Sequence, residues 1–267
     1  MLRVLLLLLL LPGLMLIPPP GQLPARETAG GSMEPLPKLR AGTPPYSVLG
    51  NVLGANQKAL GGVSPEAEGI REKDAPHLVW LADSDARIRS DLIWEHRIGG
   101  IYAVRNLANQ LEPGAAAVDY GVRHLYAPLL LITGNSDSKS IELFNQGYEE
   151  LGTEIRRELN HLHPALAHLE GAGKTARSSE ALAALRMRQV ESNVDYQVSL
   201  AMERYRDRIE NGRLVVVGGV IDLANYYKGG PGRLYLINLN GETDPKKIQS
   251  SPHLVRVTPE MRHFIGR

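Results

Sequence analysis

Two short polar segments carry the side chains best suited to chemistry in this chain. They read DSDAR at 83–87 and GNSDS at 134–138, and each follows a short apolar run. Both offer carboxylate and hydroxyl oxygens, with an amide at Asn135 and a guanidinium at Arg87. A thiolate or an imidazole is a good zinc ligand, whereas an alcohol or an amide is a poor one at neutral pH. The segments therefore favour hydrogen bonds and ion pairs over a transition-metal centre.

The composition excludes several classes of function. A net charge of +1 gives no strong field for nucleic acid or for an anionic membrane. Because the chain has no cysteine, it can form no disulfide, no thiolate metal site and no lipoprotein anchor. Its 267 residues suffice for one medium domain with a full core and a leader. No nucleic-acid partner is expected.

An apolar N-terminus predicts export. Residues 4–11 are nearly all leucine after Arg3, and the apolar run continues over 14–17 before three prolines. The run is short and broken for a bilayer span, so residues 1–25 are interpreted as an export signal, with a membrane anchor as the alternative. Residues 26–47 are rich in Pro and Gly and predict a linker or arm. We expect a periplasmic, lumenal or extracytoplasmic membrane-associated location, with membrane contact only through the N-terminal segment.

Five short apolar runs predict buried strands. Strands that alternate with helices predict an α/β fold, with a mainly parallel central sheet flanked by helices and with an N-terminal arm. The last two runs are close in sequence and predict a hairpin at one edge. The domain is expected to span 48–245, followed by a C-terminal tail at 246–267. The five runs lie at 77–82, 101–105, 129–133, 214–221 and 233–237.

Apolar residues at helical spacing predict helices between these strands. The stretches cover 115–126, 140–161 and 179–211, and the last is long and charged enough to form two helices before Gly212. Weaker helical spacing extends over 48–60. In the stretch 140–161 the candidate inward positions are Ile141, Leu143, Phe144, Leu151, Ile155 and Leu159.

Five segments in order make the chain resemble the β-class carbonic anhydrases. Residues 83–87 match that family's Cys-x-Asp-x-Arg segment, and residues 134–138 match its Gly-His-x-x-Cys segment. Residues 101–109 are similar to its Phe-Val-Val-Arg-Asn-x-Ala/Gly-Asn stretch, and residues 117–125 to its Ser-x-Glu-Tyr-Ala-x-x-His-Leu helix. Residues 212–223 are similar to its closing strand and turn. The resemblance runs from about 48 to about 240 and implies the fold of that family.

The departures from the family concern its metal. The resemblance implies that two cysteines and one histidine would hold zinc at the positions occupied here by Asp83, Asn135 and Ser138. Three oxygen groups hold a hard cation weakly at best, since such a cation prefers more ligands. Without zinc, no bound water has its pKa lowered to about 7. We therefore expect no metal and no cofactor.

The family's charged pair beside the metal is matched by Asp85 and Arg87. The resemblance assigns this pair a catalytic role in steering the zinc-bound hydroxide, and here we interpret it as vestigial. A charge-assisted Asp–Arg contact can be kept simply because it orders the loop. The alternative is a pocket that still binds a small anion such as bicarbonate through Arg87, Arg105 and Asn135.

The main hypothesis is an exported, zinc-free and inactive carbonic-anhydrase-like protein with a structural, complex-subunit or binding role. One alternative is hydration of carbon dioxide through Asp83, Asp85 and an ordered water, although a carboxylate base typically gives only about 10²- to 10⁴-fold. The other alternative is a bicarbonate sensor. The resemblance also implies a homodimer or larger assembly. Candidate anchors for a protein partner, if exposed, are Trp94, Tyr226 and Tyr227.

Overall fold

The computed structural model describes residues 52–55, 57, 74–94, 99–169 and 178–266. The chain divides into two compact units at 1–57 and 58–267, and residues 52–55 of the first are helical. The export signal or anchor and the arm that the sequence predicts at 1–47 lie outside the described residues. No helix in the described ranges combines the length and apolar character that crossing a membrane requires.

The second unit is built on a five-stranded sheet. Its strands are β1 (Leu78–Asp83), β2 (Ile101–Asn106), β3 (Leu129–Asn135), β4 (Val215–Asp222) and β5 (Arg233–Leu239). The order across the sheet is β2-β1-β3-β4-β5, with the first four strands parallel and β5 antiparallel to β4. The α/β fold, the mainly parallel sheet and the edge hairpin predicted from the sequence are confirmed. All five apolar runs form strands, and the inner strands β1, β3 and β4 are mostly buried, as continuous apolar runs predict, whereas the edge strand β2 is only partly buried.

Helices connect and cover these strands. Between β2 and β3 the chain forms a short helix that runs into a π-helical turn at Tyr120–His124. The long charged stretch forms two helices that end before Gly212, where φ is +67°. The helices are α1 (Ala115–Asp119), α2 (Lys139–Gln146), α3 (Thr153–Asn160), α4 (His163–Leu166), α5 (Ser179–Arg204), α6 (Arg206–Glu210) and α7 (Pro245–Gln249).

The stretch predicted as one helix over 140–161 is two helices. The first ends at Gly147, whose φ of +96° no right-handed helix accommodates, and the second begins after Gly152. The break reorients the second helix, so Ile155, expected to face inward, is 39% exposed. Ile141 and Leu159 are buried as expected.

The long helix α5 packs directly on the centre of the sheet. Its buried residues include Val190, Val194 and Val198, which contact β3 and β4 at two glycines. A Cβ at Gly134 would lie 2.7 Å from Val190 Cγ1, and one at Gly218 would lie 2.8 Å from Val194 Cγ1. These strands therefore require glycine to let the helix approach so closely.

The residues that the sequence assigns to a C-terminal tail pack on the edge of the sheet. Helix α7 is followed by short 3₁₀ turns at Pro252–Leu254 and Met261–Phe264. Leu239 of β5 shares an apolar cluster with Ile248, Leu254 and Ile265. This cluster covers the edge strand, which would otherwise expose apolar surface.

Candidate functional site

The polar segments meet at the carboxyl edge of the parallel strands. Asp83 ends β1 and Asn135 ends β3, and β1 and β3 are neighbours in the sheet. Ser138 is the N-cap of α2, the helix that follows β3. Loops at the carboxyl ends of parallel strands share one edge, which is where α/β folds usually bind ligands. The structure thus brings together the three positions that the resemblance assigns to metal ligands.

Asp83 is the centre of this edge and is only 2% exposed. Its Oδ2 accepts hydrogen bonds from Asn135 Nδ2 at 3.1 Å and from Ser138 Oγ at 2.7 Å. Its Oδ1 accepts from the backbone N–H of Ala108 at 3.0 Å and from Ser140 Oγ at 2.9 Å. A carboxylate has about four lone-pair sites, so these four donors satisfy it.

A strained turn after β2 supplies the backbone donor. Ala108 and Asn109 have φ of +59° and +48°, the left-handed region that non-glycine residues rarely adopt. Asn193 of α5 donates to the carbonyl of Ala108 at 2.8 Å, while Gln197 accepts from the N–H of Leu111 at 2.8 Å. The turn is therefore held by the sheet on one side and by α5 on the other.

The predicted dyad of Asp85 and Arg87 forms an ion pair. The Arg87 guanidinium donates to both oxygens of Asp85, at 2.9 and 2.6 Å. It also donates to the Asp137 carboxylate at 2.6 Å and to the Asp137 carbonyl at 3.0 Å. Hydrogen bonding from Arg87 is the main reason that the pKa of Asp85 is lowered, and a carboxylate with a lowered pKa is a weaker base.

Asp137 gathers cations from three elements. It accepts from Arg87, from Lys139 Nζ at 3.3 Å and from Arg186 of α5 at 2.9 Å. Partial burial opposes ionisation of Asp137, but the hydrogen bonds from Arg87 and Lys139 lower its pKa overall. This network fixes the loop after β3 to the loop after β1 and to α5.

The proposed anion-binding groups donate to the protein itself. Arg105 donates to the carbonyls of Asp83 and Asp85 at 3.2 and 2.6 Å. The amide of Asn135 donates to Asp83, and its oxygen accepts from the N–H of Asp137 at 3.0 Å. Arg87 makes the four hydrogen bonds described above. These contacts hold all three groups in the hydrogen-bond network of the edge.

The three candidate partner anchors differ in how much of their surface is exposed. Trp94 is half-buried and stacks on His77 with ring centroids 5.4 Å apart. Tyr226 is 42% exposed, whereas the Tyr227 hydroxyl donates to Glu191 at 2.6 Å. Of the three, Tyr226 offers the most free surface.

Sequence reasoning missed three contributors to the site. Ser140 and the N–H of Ala108 complete the shell around Asp83, and Arg186 reaches Asp137 from α5. Ser140 follows Ser138 by two residues at a helix start, which is a usable local signal. Arg186 lies 49 positions from Asp137, and no local pattern marks such a contact.

The side chains at the three matching positions do not fit a zinc ion. Zinc lies about 2.0–2.3 Å from each ligand and prefers thiolate and imidazole. Here the side chains of Asn135 and Ser138 donate hydrogen bonds to Asp83, whereas metal ligands would direct lone pairs at a common ion. Across the described ranges, no group of three or more His, Cys, Asp or Glu residues is arranged to hold a metal.

Comparisons of the sequence with known proteins find similarity to carbonic anhydrases. A sequence model described as carbonic anhydrase matches residues 78–229. A carbonic anhydrase of Helicobacter pylori (strain J99 / ATCC 700824) is 29% identical over 79 residues, which cover 26% of this chain. The match spans only 36% of the length of that curated relative.

Solved structures share the fold at low sequence identity. The β-carbonic anhydrase CcaA has a TM-score of 0.61 at 14% identity, covering 72% of this chain and 94% of that one. A tetrameric β-carbonic anhydrase of Sordaria macrospora scores 0.59 at 21% identity, covering 72% and 97%. The Coccomyxa β-carbonic anhydrase, solved with acetazolamide, scores 0.59 at 16% identity, covering 78% and 92%. With more than half of its length matched by the family model, this chain belongs to the β-class carbonic anhydrase family.

Proposed function

We propose that this protein is an exported member of the family that binds no zinc, does not hydrate carbon dioxide, and serves a structural or binding role as a subunit of an assembly. The observation that carries the proposal is the hydrogen-bonded shell around Asp83. All four contacts of its carboxylate go to the protein's own donors. A metal ion that used the Asp83 carboxylate as a ligand would have to displace some of these hydrogen bonds.

The surrounding charges support the same conclusion. Metal-free hydration would need a carboxylate that can take a proton from water. Asp83 is buried and fully engaged, and the lowered pKa of Asp85 makes it a poor base. An anion sensor would need free donors, yet Arg87 makes four hydrogen bonds to Asp85 and Asp137. No observation favours either alternative.

The role in an assembly is supported by likeness and by the surface. The Sordaria macrospora relatives are described as tetrameric. Tyr226 is an exposed aromatic side chain near the carboxyl edge, and aromatic residues are common anchors at protein interfaces. Export is supported by the leucine-rich N-terminus. We propose a homodimer or larger assembly outside the cytoplasm.

Metal content and hydration kinetics test the proposal together. The purified full chain is dialysed against zinc, its bound zinc is measured by mass spectrometry, and carbon dioxide hydration is followed by stopped flow. We expect zinc far below one ion per chain and no rate above buffer. Stoichiometric zinc with rapid hydration would overturn the proposal.

A matched variant shows that the assay can detect a metal site. Asp83→Cys, Asn135→His and Ser138→Cys together introduce the ligand types that the resemblance assigns to these positions. Since the three positions converge at one edge, we expect this triple variant to retain zinc under the same dialysis. Zinc in the triple variant and none in the unmodified chain is the outcome that supports the proposal.

A further inference from the structure

We propose that the Asp83 carboxylate is the cross-link that holds the loops at the carboxyl edge of the sheet together, so that the fold depends on this side chain and on no metal. The inference deepens the proposed function, since it rests on a zinc-free edge. It assigns Asp83 a positioning role that the resemblance does not imply.

The cross-link joins segments that are far apart in sequence. From Asp83 to its donors the separations are 25 residues to Ala108, 52 to Asn135, 55 to Ser138 and 57 to Ser140. The donors belong to the turn after β2, the end of β3, the N-cap of α2 and its first turn. One buried side chain thus connects three loops of the carboxyl edge, as a multidentate ligand would.

The strained turn after β2 needs such a contact. Ala108 and Asn109 both have positive φ, and Ala108 in particular persists there only when its surroundings fix it, since asparagine tolerates this region better. Asp83 accepts from the N–H of Ala108 while Asn193 donates to its carbonyl. Without the carboxylate, one side of this clamp is lost.

The geometry requires a carboxylate rather than an amide at position 83. Each oxygen faces one donor that cannot turn round. Oδ1 faces the backbone N–H of Ala108, and Oδ2 faces the Asn135 amide, whose orientation is fixed because its oxygen accepts from the N–H of Asp137. An amide group at position 83 would therefore point its NH₂ at another N–H in either orientation.

That requirement permits a swap that preserves every atom count and the net charge. In the double variant Asp83→Asn with Asn135→Asp, the new amide can donate to the new carboxylate, and Ser138 can turn its hydroxyl to accept. Ala108 and Ser140 keep an acceptor, and the N–H of Asp137 still finds an oxygen at position 135. Each single substitution instead opposes like groups, either across the 3.1 Å contact or, when the amide at position 83 is turned round, at the N–H of Ala108.

The experiment is thermal unfolding of the full chain as wild type, two single variants and the double variant, each in EDTA and with added zinc. We expect each single variant to lower Tm by about 5 °C or more, and the double variant to recover at least half of the combined loss. Wild-type Tm is expected to be the same in EDTA and in zinc. The control is Asp244→Asn at the N-cap of α7, where only Oδ1 accepts hydrogen bonds and an amide serves equally well.

The outcomes separate this inference from the proposed function. Single variants as stable as Asp244→Asn, or a double variant whose loss equals the sum of the singles, would overturn the cross-link. If neither single variant folds, a folded double variant supports it and an unfolded double variant counts against it. Zinc bound by the wild type defeats the proposed function, whereas absent zinc with no coupling defeats the cross-link alone.

Discussion

Asp83 and Asp222 end two parallel strands at the same edge of the sheet, and both are buried. Asp222 accepts from the N–H groups of Tyr226 and Tyr227, each at 2.8 Å, so its contacts close a local turn. Asp83 accepts from four groups on distant segments. One residue type at equivalent places therefore forms a turn cap in one loop and a tertiary cross-link in the other. The difference lies in how far along the chain the donors come from.

The largest effect expected outside the cross-link itself is that of Asp222→Asn. Each oxygen of Asp222 faces one backbone N–H, so an amide leaves one donor unsatisfied, at a cost of about 1–3 kcal/mol. Since the donors are local, we expect hydrogen exchange to speed up mainly over 223–232. For Asp83→Asn we expect faster exchange over both 106–110 and 133–141.

The control for that comparison is again Asp244→Asn, expected to stay within roughly 0.5 kcal/mol of wild type. Faster exchange at 133–141 in the Asp222 variant, or a response of the Asp83 variant confined to 84–88, would erase the distinction between the two aspartates.

The parts of the fold that the sequence predicts are those that depend on local contacts. All five strands were predictable because each is a continuous apolar run between loops. Gly147 and Gly152 mark the break between α2 and α3, but apolar spacing continues across it, so periodicity predicts a single helix there. Local glycine chemistry carried information that periodicity alone did not.

The site divides in the same way. The convergence of positions 83, 135 and 138 came from family resemblance, and no spacing in the chain implies it. The pairing of Asp85 with Arg87 is local in sequence, but it too was expected from the resemblance. The contributions of Ala108, Ser140 and Arg186 depend on how helices and loops pack. Only the assembled fold reveals the roles of Ala108 and Arg186, whereas the position of Ser140 two residues after Ser138 is a local signal.

Removing single hydroxyl donors sharpens the description of Asp83 as a shared acceptor. Ser140→Ala deletes one hydrogen bond to Oδ1, and we expect a loss of about 1 kcal/mol. Ser138→Ala also removes the cap that accepts from the N–H of Ile141 at 3.3 Å, so about 1–2 kcal/mol is expected. Urea unfolding measures both.

Ser199→Ala is the matched control, because this exposed hydroxyl donates only to the carbonyl of Tyr196 one turn earlier. In an Asp83→Asn background the two serine substitutions should cost less than in wild type, since they share one partner. Serine variants indistinguishable from Ser199→Ala would show that Asp83 does not depend on these donors.

The smallest effect is expected for Asp85→Asn, two residues from the cross-link. The Arg87 side chain is 44% exposed and that of Asp85 is 10% exposed, and an ion pair with one solvent-exposed partner typically contributes about 1 kcal/mol, less at high salt. Because the folded-state pKa of Asp85 is lowered, its contribution is present above the ordinary Asp pKa and is lost as pH falls through the folded value. Urea midpoints for wild type and variant should therefore converge in acid and in salt.

Asp91→Asn, which breaks the neighbouring pair with Arg89, is the control. If Asp85→Asn lowers the stability as much as Asp83→Asn does, the ion pairs hold the edge together and the buried carboxylate of Asp83 is not its main cross-link.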